Sequence, residues 1–470
     1  MNNYKPTIGI EIHLELKTNA KVFSNTKNDY NSPANTNINE IDLAYPGVLP
    51  ILNEEVVKKA ITASLGLNME ISKEMHFDRK NYYYPDLPKG YQITQMETPI
   101  GHDGYVEITT EEGTKKIRVE RLHIEEDTAK SLHHNEKTLL NYNRSGLPLV
   151  EIVSKPDMHT KEEAMKYVER LRELFLYLEV SDCKIEEGSM RCDVNISVSK
   201  DETLGVRSEI KNIGSISNVG EAIDYEIKRQ VEAIENGITL KEDTRRYDAN
   251  KKETIFMRRK EPNKDYRYFP EPDIPYLYLD DETLKKAKED LIMLPNERRS
   301  IYLDKGISKI NTQKIIANKE LSDFLNMFLE ENIDFSIASN ILLGDISSYL
   351  NKNKVSINDT YLTKEKFIIL VNSLKSEEIS SKIFKEIIDD ILGKDIDVKE
   401  LINQNKQVSN TDEIVFIIEE VLEEFPESVQ DYKNGKENAI KFLMGMVMKE
   451  SKGKLNPKTS LEILKELLNK

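Results

Sequence analysis

The sequence has little cysteine and no long apolar segment. Its two cysteines, Cys183 and Cys192, cannot form a disulfide framework or a cysteine zinc cluster, and so low a content is typical of a reducing compartment. No run approaches the roughly 18 apolar residues of a membrane-spanning helix. The first residues, MNNYKPTIGIEIH, include no apolar segment of signal-peptide length. We therefore expect a soluble cytoplasmic protein with no membrane contacts.

Two phosphate-binding motifs are also missing. The sequence contains neither the P-loop pattern GxxxxGK[ST] nor the dinucleotide pattern GxGxxG. If ATP binds, we expect it to bind on a sheet surface through metal ions and basic side chains. The net charge of −16 argues against a general nucleic-acid coat protein. Residues 435–470, however, carry eight lysines against four glutamates and form a local basic patch.

Proline content and periodicity divide the 470 residues. Fourteen of the 16 prolines lie at or before Pro295, in a region of short alternating runs, whereas long helical patterns follow. A chain of this length holds about three domains, and we place them at 1–294, 295–405 and 406–470. The first mixes strands and helices without βαβ alternation, which predicts an α+β fold with a mostly antiparallel sheet. The other two are predicted to be α-helical.

Apolar periodicity predicts the elements of the first domain. The predicted strands are 7–16, 104–110, 115–124, 148–154, 189–198 and 205–212. The predicted helices are 54–66, 161–179 and 220–237. Thr160 precedes the amphipathic segment KEEAMKYVERLRELFLYLE and is the predicted N-cap of that helix.

The first predicted strand places charged side chains along one face. In IGIEIHLEL, residues 8–16, the even positions are all apolar, so Glu11 and His13 share the opposite face. Neighbours on one face of a strand lie ~7 Å apart, close enough to share a metal ion or a substrate. For this strand alone, the alternative is a surface that simply faces water.

Other predicted strands repeat this mixture of acids and cations. The side chains concerned are Ser189, Arg191 and Asp193 in SMRCDVNISV, Arg207, Glu209 and Lys211 in VRSEIKNI, His123, Glu125, Glu126 and Asp127 in LHIEED, and Glu151 in PLVEIVS. Glu151 stands among apolar residues, where an acid is usually paired or bound to a ligand because burying a lone charge is costly. Carboxylates hold Mg²⁺, and Arg and Lys neutralise phosphate oxygens. The set is compatible with nucleotide phosphates on a sheet, or with a solvated sheet that carries surface ion pairs.

The segment DRKNYYYPDLPKGYQ, residues 78–92, combines three consecutive tyrosines with two prolines and several cations. This composition suits a binding loop in which Tyr82–Tyr84 stack while Lys80 holds an anion. The alternative is a loop that proline holds rigid and that packs on the core.

Long motifs are dispersed along the whole chain: IGIEIHLEL, FDRKNYYYPDLPKGYQITQ, LHIEEDTAK, NRSGLPLVEIVSKPDM, EEGSMRCDVNISV, RSEIKNI, DYRYFPEPDIP and GKENAIKFLMGMVMKESKGKLNP. In these motifs the chain resembles, almost from end to end, the B subunits of the aspartyl/glutamyl-tRNA amidotransferases, the GatB/GatE family. The resemblance implies a glutamine-synthetase-like sheet platform, followed by a helical domain and a helical tail domain. It also implies ATP- and Mg²⁺-dependent phosphorylation of the side-chain carboxylate of Glu-tRNA(Gln) or Asp-tRNA(Asn). A separate amidase is then expected to supply ammonia from glutamine, and a small third subunit to clasp the other two.

The resemblance also implies a set of site residues. The predicted metal ligands are Glu11, His13, Glu125 or Glu126, Glu151 and Asp193, because strand phase leaves the choice between Glu125 and Glu126 open. The predicted phosphate contacts are Lys80, Arg191, Arg207 and Lys211. Ser189 and Glu209 are predicted to position the acceptor or ammonia. His13 is an unusual ligand for Mg²⁺, which prefers oxygen, so it either binds the metal directly or orients a water or phosphate.

The sequence departs from the family at a zinc site near the N-terminus. Many members carry two cysteine pairs there, whereas this chain has Ser24, Thr26, Asn39 and Asp42. Hydroxyl and amide groups are poor zinc ligands. We therefore expect no structural zinc, with packing in its place.

The C-terminal motif implies a tRNA-contacting helix pair in which Lys449, Lys452 and Lys454 lie near phosphates. The alternative is an amphipathic helix with a solvated lysine face. Two other functions are compatible with parts of the sequence. The first is a non-catalytic tRNA-binding scaffold, which the carboxylate set disfavours; the second is a stand-alone ligase for a small amino acid, which the long basic C-terminal region disfavours.

Overall fold

The computed structural model describes residues 3–29, 31–134, 136–201, 203–259, 266–405, 411–436, 438–451, 455 and 457–469. The chain divides into two compact units, Met1–Leu294 and Pro295–Lys470. The first unit is α+β and the described part of the second is helical, which confirms the predicted fold class. The predicted boundary near residue 405 stays a prediction.

The first unit contains short and long strands and four α-helices within its described residues. The strands are β1 (Lys5–Glu15), β2 (Glu70–Ile71), β3 (Glu74–Met75), β4 (Asp78–Asn81), β5 (Tyr91–Thr94), β6 (Gly101–Thr110), β7 (Gly113–Glu126), β8 (Lys130–His134), β9 (Lys137–Asn141), β10 (Pro148–Ser154), β11 (Met190–Ser199), β12 (Ser208–Lys211), β13 (Asp243–Asp248), β14 (Glu253–Arg259), β15 (Phe269–Pro270) and β16 (Leu277–Tyr278). The helices are α1 (Glu54–Gly66), α2 (Lys161–Tyr177), α3 (Ile216–Glu235) and α4 (Asp281–Glu289).

A nine-stranded sheet organises this unit, in the order β14-β13-β12-β11-β1-β10-β7-β6-β2. Strands β12 and β13 are parallel, and the other neighbouring pairs of this sheet are antiparallel. Strand β1 lies at its centre between β10 and β11. Beside it, β15, β4 and β5 form a small three-stranded sheet.

One face of the large sheet is apolar and covered by helices. The even-numbered residues of β1, among them Ile8, Ile10 and Ile12, are fully buried or nearly so. They belong to one hydrophobic core with residues of α1, α2 and α3 such as Val168 and Ile223. Because side chains alternate along a strand, the odd-numbered residues of β1 lie on the other face of the sheet.

Helix ends follow local capping chemistry. Thr160 caps α2 as predicted, since its side chain accepts a hydrogen bond from the backbone N–H of Glu163. The predicted start of the third helix at residue 220 is wrong. The helix begins at Ile216 because the Ser215 side chain accepts from the Asn218 N–H and satisfies a donor that the helix leaves free.

The second unit is a series of helices. They are α5 (Pro295–Asp304), α6 (Lys309–Ile316), α7 (Lys319–Asn326), α8 (Phe335–Ile341), α9 (Ser347–Asn353), α10 (Lys364–Lys375), α11 (Ser381–Gly393), α12 (Val398–Gln404), α13 (Thr411–Glu424), α14 (Pro426–Lys433), α15 (Asn438–Glu450) and α16 (Pro457–Leu468). A separate hydrophobic cluster joins α13, α15 and α16 through residues such as Ile418, Val447 and Leu464. Among the residues described, none of the helices has the length and apolar character needed to cross a membrane.

Candidate active site

The polar face of the large sheet gathers the predicted acids through strand register. Glu11 of β1 pairs with Asp193 of β11, and His13 pairs with Glu151 of β10 on its other side. Glu151 in turn pairs with His123 of β7. Since directly paired residues point to the same face, four adjacent strands bring acids and imidazoles into one cluster.

Distances within this cluster are short. The Nε2 atom of His13 lies 3.4 Å from Glu151 Oε2, 3.7 Å from Glu125 Oε1 and 3.8 Å from Glu11 Oε1. The Nε2 atom of His123 lies 3.5 Å from the same Glu151 oxygen and 3.6 Å from Glu125 Oε2. Each imidazole therefore lies between carboxylates, and Glu151 joins the two. We call these five residues and Asp193 the acidic cluster.

The charged groups of the cluster shift one another's pKa values. Burial opposes a positive charge on His13 and His123, but Glu151 and Glu125 raise the pKa of each imidazole to about 9. Burial alone would raise the pKa of Glu151, yet the two imidazoles hold it well below its usual range. Burial and the nearby Glu151 raise the pKa of Glu11 to about 7. At neutral pH the cluster therefore pairs cationic histidines with an anionic Glu151.

The donor atoms of the acidic cluster fit a divalent cation. Ligand atoms of Glu11, His13 and Asp193 lie within 4.8 Å of one another, and so do those of His13, Glu125 and Glu151. His123 Nδ1 is buried and has no hydrogen-bond partner in the described part of the chain. Carboxylate oxygens are the ligands that Mg²⁺ prefers. A bound cation would also replace the imidazolium charges that now offset the acids.

Basic side chains flank the acidic cluster on the same face. Lys211 of β12 places its Nζ 2.5 Å from Asp193 Oδ2 and 2.9 Å from Glu209 Oε1. Arg191, which pairs with His13 across β11 and β1, bonds to Asp127 Oδ2 at 3.0 Å. The mixed face therefore offers both metal ligands and phosphate-neutralising cations.

Lys80 extends from β4 towards the cluster, and tyrosine rings lie around its ammonium group. Its Nζ lies 5.0 Å from the ring centre of Tyr266 and 5.9 Å from that of Tyr82. Burial opposes its charge, but Tyr268 and the carboxylates of Glu125 and Glu151 raise the pKa of Lys80. Among the residues that the structure describes, no carboxylate forms a direct ion pair with its ammonium.

Three predicted residues lie away from the cluster. Glu126 faces the other way: its Oε2 accepts from Lys89 at 2.5 Å and its Oε1 accepts from the Ile93 N–H. The structure thus brings Glu125, and not Glu126, to the cluster. Ser189 closes a turn by accepting from the Lys184 N–H. Arg207 is exposed and pairs with Glu242 at 3.6 Å.

The three predicted tRNA lysines belong to the second unit. Lys449 is an exposed residue near the end of α15. Lys452 and Lys454 lie outside the described residues. Their contact with tRNA therefore stays a prediction.

Sequence reasoning omitted some residues that the fold brings to the site. His123 was noted in LHIEED but not proposed as a ligand, although it shares strand phase with Glu125. Tyr266 and Tyr268 lie in the motif DYRYFPEPDIP, far from Lys80 in sequence. Only the pairing of β15 with β4 brings this motif beside Lys80, so no local signal identified it.

The segment that replaces the family's cysteines is held by a buried ion pair. Lys21 Nζ lies 3.1 Å from Asp42 Oδ2, and both side chains are almost completely buried. Ser24 Oγ donates to Asp42 Oδ1 at 2.7 Å, and the Thr26 N–H donates to Ser24 Oγ. Asn39 accepts from the Asp42 N–H. The expected absence of zinc stays a prediction, and these bonds supply cross-links between the two stretches.

Comparisons with known proteins identify the family of the chain. Residues 6–285 match the GatB/GatE catalytic domain, and residues 323–468 match the GatB domain. Proteins named as B subunits of aspartyl/glutamyl-tRNA(Asn/Gln) amidotransferases are similar over the full length of both chains. Those from Bacillus licheniformis and Staphylococcus haemolyticus are each 44% identical to this chain, and that from Staphylococcus aureus strain Newman is 43% identical. The chain belongs to the GatB/GatE family, as predicted from its motifs.

Proposed function

We propose that this chain is the B subunit of a glutamine-dependent tRNA amidotransferase. It activates the side-chain carboxylate of Glu-tRNA(Gln), Asp-tRNA(Asn) or both with ATP, and ammonia then converts the carboxylate into an amide. The observation that carries the proposal is the acidic cluster on a sheet face flanked by Lys80, Lys211 and Arg191. The names of its full-length relatives support the same reaction.

The chemistry explains why the described residues of the site are charged groups and include no activated protein nucleophile. A carboxylate is a poor electrophile because its oxygen is a poor leaving group. Its oxygen attacks the γ-phosphorus of ATP, ADP leaves, and an acyl phosphate forms on the substrate. Ammonia attacks the acyl carbon and inorganic phosphate leaves. Both steps require positioning and charge neutralisation more than a covalent protein intermediate.

The residues of the acidic cluster take separable roles in this proposal. Mg²⁺ would be held by Glu11, His13, Glu125, Glu151 and Asp193. His123 would orient two of these carboxylates, those of Glu125 and Glu151, through its contacts with both. When bound, the cation neutralises the charge of the triphosphate.

Basic residues complete the proposed site. Lys80 would contact phosphate oxygens. Within the described residues its ammonium forms no direct ion pair, so its charge is available to a phosphate. Lys211 keeps Asp193 and Glu209 in place through its two short contacts. Arg191 is held by Asp127, so its guanidinium is presented to the face in one orientation.

We further propose that this chain assembles with an amidase and with a small third subunit, and that the complex works in the cytoplasm. Exposed lysines of the tail, such as Lys449, would contact the tRNA backbone. The competing proposal of a non-catalytic scaffold leaves the acidic cluster without a role.

Amidation by the complete complex tests the proposed function. The chain is purified with its partner subunits and supplied with labelled Glu-tRNA or Asp-tRNA, ATP and glutamine. We expect Glu151→Gln and Asp193→Asn each to reduce ATP-dependent amidation at least about 100-fold, the scale on which metal sites respond to altered ligands. Glu120→Gln changes an exposed acid on β7 and serves as the matched control. Full activity in both cluster variants would establish the scaffold function instead.

A further inference from the structure

A row of tyrosines leads from the acidic cluster to the protein surface. The ring centres of Tyr268 and Tyr266 lie 6.1 Å apart, those of Tyr266 and Tyr82 lie 6.2 Å apart, and those of Tyr82 and Tyr84 lie 5.9 Å apart. The angles between ring planes are 64°, 78° and 63°. In such edge-to-face contacts the rings are not stacked on one another, and the exposed Tyr84 offers its ring to a ligand.

The row changes from half-buried to exposed along its length. Tyr268, Tyr266 and Tyr82 are half-buried, whereas Tyr84 is 53% exposed. Burial raises the pKa of Tyr268 and of Tyr82; Glu151 and Glu125 raise that of Tyr268 further, and Glu125 raises that of Tyr82, so both rings lie within the field of the acids. The row therefore connects the solvent to the place where the acids converge.

Cations stand at both ends of this row. At the inner end, the Lys80 ammonium lies over Tyr266 at 5.0 Å. At the outer end, Arg258 of β14 donates from Nη1 to the Tyr84 hydroxyl at 3.1 Å. Neither side chain forms a direct ion pair in the described part of the chain. We call the four tyrosines with these two cations the aromatic track.

The backbone beneath the track is already ordered. Strand β15 pairs with β4, which joins the segment that carries Tyr266 and Tyr268 to the one that carries Tyr82 and Tyr84. The Asn81 side chain donates to the backbone oxygen of Arg267 at 2.8 Å and fixes the two segments further. Ordered rings cost little additional entropy when a ligand stacks on them.

We propose that the aromatic track binds the unpaired 3′ end of the aminoacyl-tRNA and directs its ester-linked amino acid into the acidic cluster. This inference rests on the proposed function. Alternating aromatic faces and cations are the chemistry with which proteins bind single-stranded nucleic acid, because bases stack on the rings while cations neutralise phosphates. The acidic cluster at the inner end rejects further phosphates unless a divalent cation is bound. The outer Arg258, for which the described residues show no ion pair, meets the polynucleotide first.

Steady-state kinetics of the complete complex, with Tyr84→Ala as the variant, test the track. Since Tyr84 is exposed, the change leaves the core intact. We expect the KM for aminoacyl-tRNA to rise about tenfold, within the range for loss of one base–aromatic stack, while kcat and the KM for ATP stay unchanged. Tyr84→Phe keeps the ring and should stay within about threefold of the wild type. The control is Tyr278→Ala, which removes a tyrosine that is 72% exposed and lies outside the track.

A second measurement isolates the 3′ end itself. Uncharged tRNA with and without its last three nucleotides is used as a competitive inhibitor of the wild-type and Tyr84→Ala complexes. We expect the intact tRNA to inhibit the wild type more strongly than the truncated tRNA. In the Tyr84→Ala complex, we expect the ratio of the two inhibition constants to be about tenfold smaller. An unchanged KM together with an unchanged advantage in both Tyr84→Ala and Tyr82→Ala would overturn the inference. A wild-type complex that amidates neither substrate would refute the proposed function instead, so the two failures are distinguishable.

Discussion

Replacing Glu151 by glutamine removes the charge that joins the two imidazoles of the acidic cluster. One carboxylate oxygen of Glu151 lies 3.4 Å from His13 Nε2 and 3.5 Å from His123 Nε2. Glutamine has nearly the same shape, so the substitution changes electrostatics more than packing. We expect the pKa of both histidines to fall clearly below about 9, because burial disfavours the imidazolium and the main negative charge that stabilises it is gone.

The size of this effect can be worked from the structure. Two unit charges about 3.5 Å apart attract by roughly 5 kcal/mol at an effective dielectric constant near 20. The rise of each histidine pKa from 6.5 to about 9 corresponds to roughly 3 kcal/mol. Because burial opposes this rise, the attraction of Glu151 is its main cause and Glu125 adds to it. A folded-state pKa raised above the unfolded one stabilises the fold fully below pH 6.5. That contribution disappears as the pH rises through about 9, and the variant should lack it.

Histidine titration by NMR is the measurement for this prediction. The chain has seven histidines, and His13→Gln and His123→Gln assign the two signals. Titrations from pH 5 to 10, without divalent cations, are compared for the wild type, Glu151→Gln and the exposed-acid control Glu120→Gln. If both histidines still titrate near pH 9 in Glu151→Gln, or near 6.5 in the wild type, the electrostatic reasoning is refuted.

Three further predictions concern other parts of the molecule. Asp42→Asn should lower the free energy of unfolding by about 3–5 kcal/mol, because it leaves the Lys21 ammonium buried without a charge partner. Urea unfolding measures this loss. Asp29→Asn, which breaks a surface pair, is the control and should cost less than about 1 kcal/mol. Equal losses in the two variants would contradict a stabilising role of the buried Lys21–Asp42 pair. Millimolar Mg²⁺ should raise the melting temperature of the wild type by binding the folded state but not that of Asp193→Asn, and equal shifts would place the cation elsewhere. Lys449→Ala should weaken tRNA binding and reduce the slope of log affinity against log salt by about 0.9, whereas an unchanged slope would remove Lys449 from the interface.

Strand periodicity was sufficient to predict much of the site. The alternation in IGIEIHLEL places Glu11 and His13 on one face, and the structure pairs them with Asp193 and Glu151. The sheet could be predicted because its buried face requires apolar residues at every second position. Local sequence could not order the strands, since β1, β10 and β11 come together from distant parts of the chain.

Residues at strand ends and in loops were harder to predict. At Glu125 and Glu126 adjacent acids compete for one face, and only the contacts of Glu126 with Lys89 and Ile93 show that it turns away. Ser189 was predicted from its strand phase to lie on the polar face and to position the acceptor or ammonia, but it lies just before β11 and closes a turn. Such positions depend on tertiary contacts, which periodicity does not report.

Isotope transfer tests the central claim most directly. Glu-tRNA labelled with ¹⁸O in its side-chain carboxylate is amidated by the wild-type complex, and the released inorganic phosphate is analysed by mass spectrometry. Because the carboxylate oxygen attacks phosphorus and leaves with it, we predict one ¹⁸O atom in the phosphate for each amide formed. We also predict loss of both products in Glu125→Gln. Unlabelled phosphate from an active wild-type complex, or undiminished transfer in that variant, would contradict phosphorylation of the substrate at the acidic cluster.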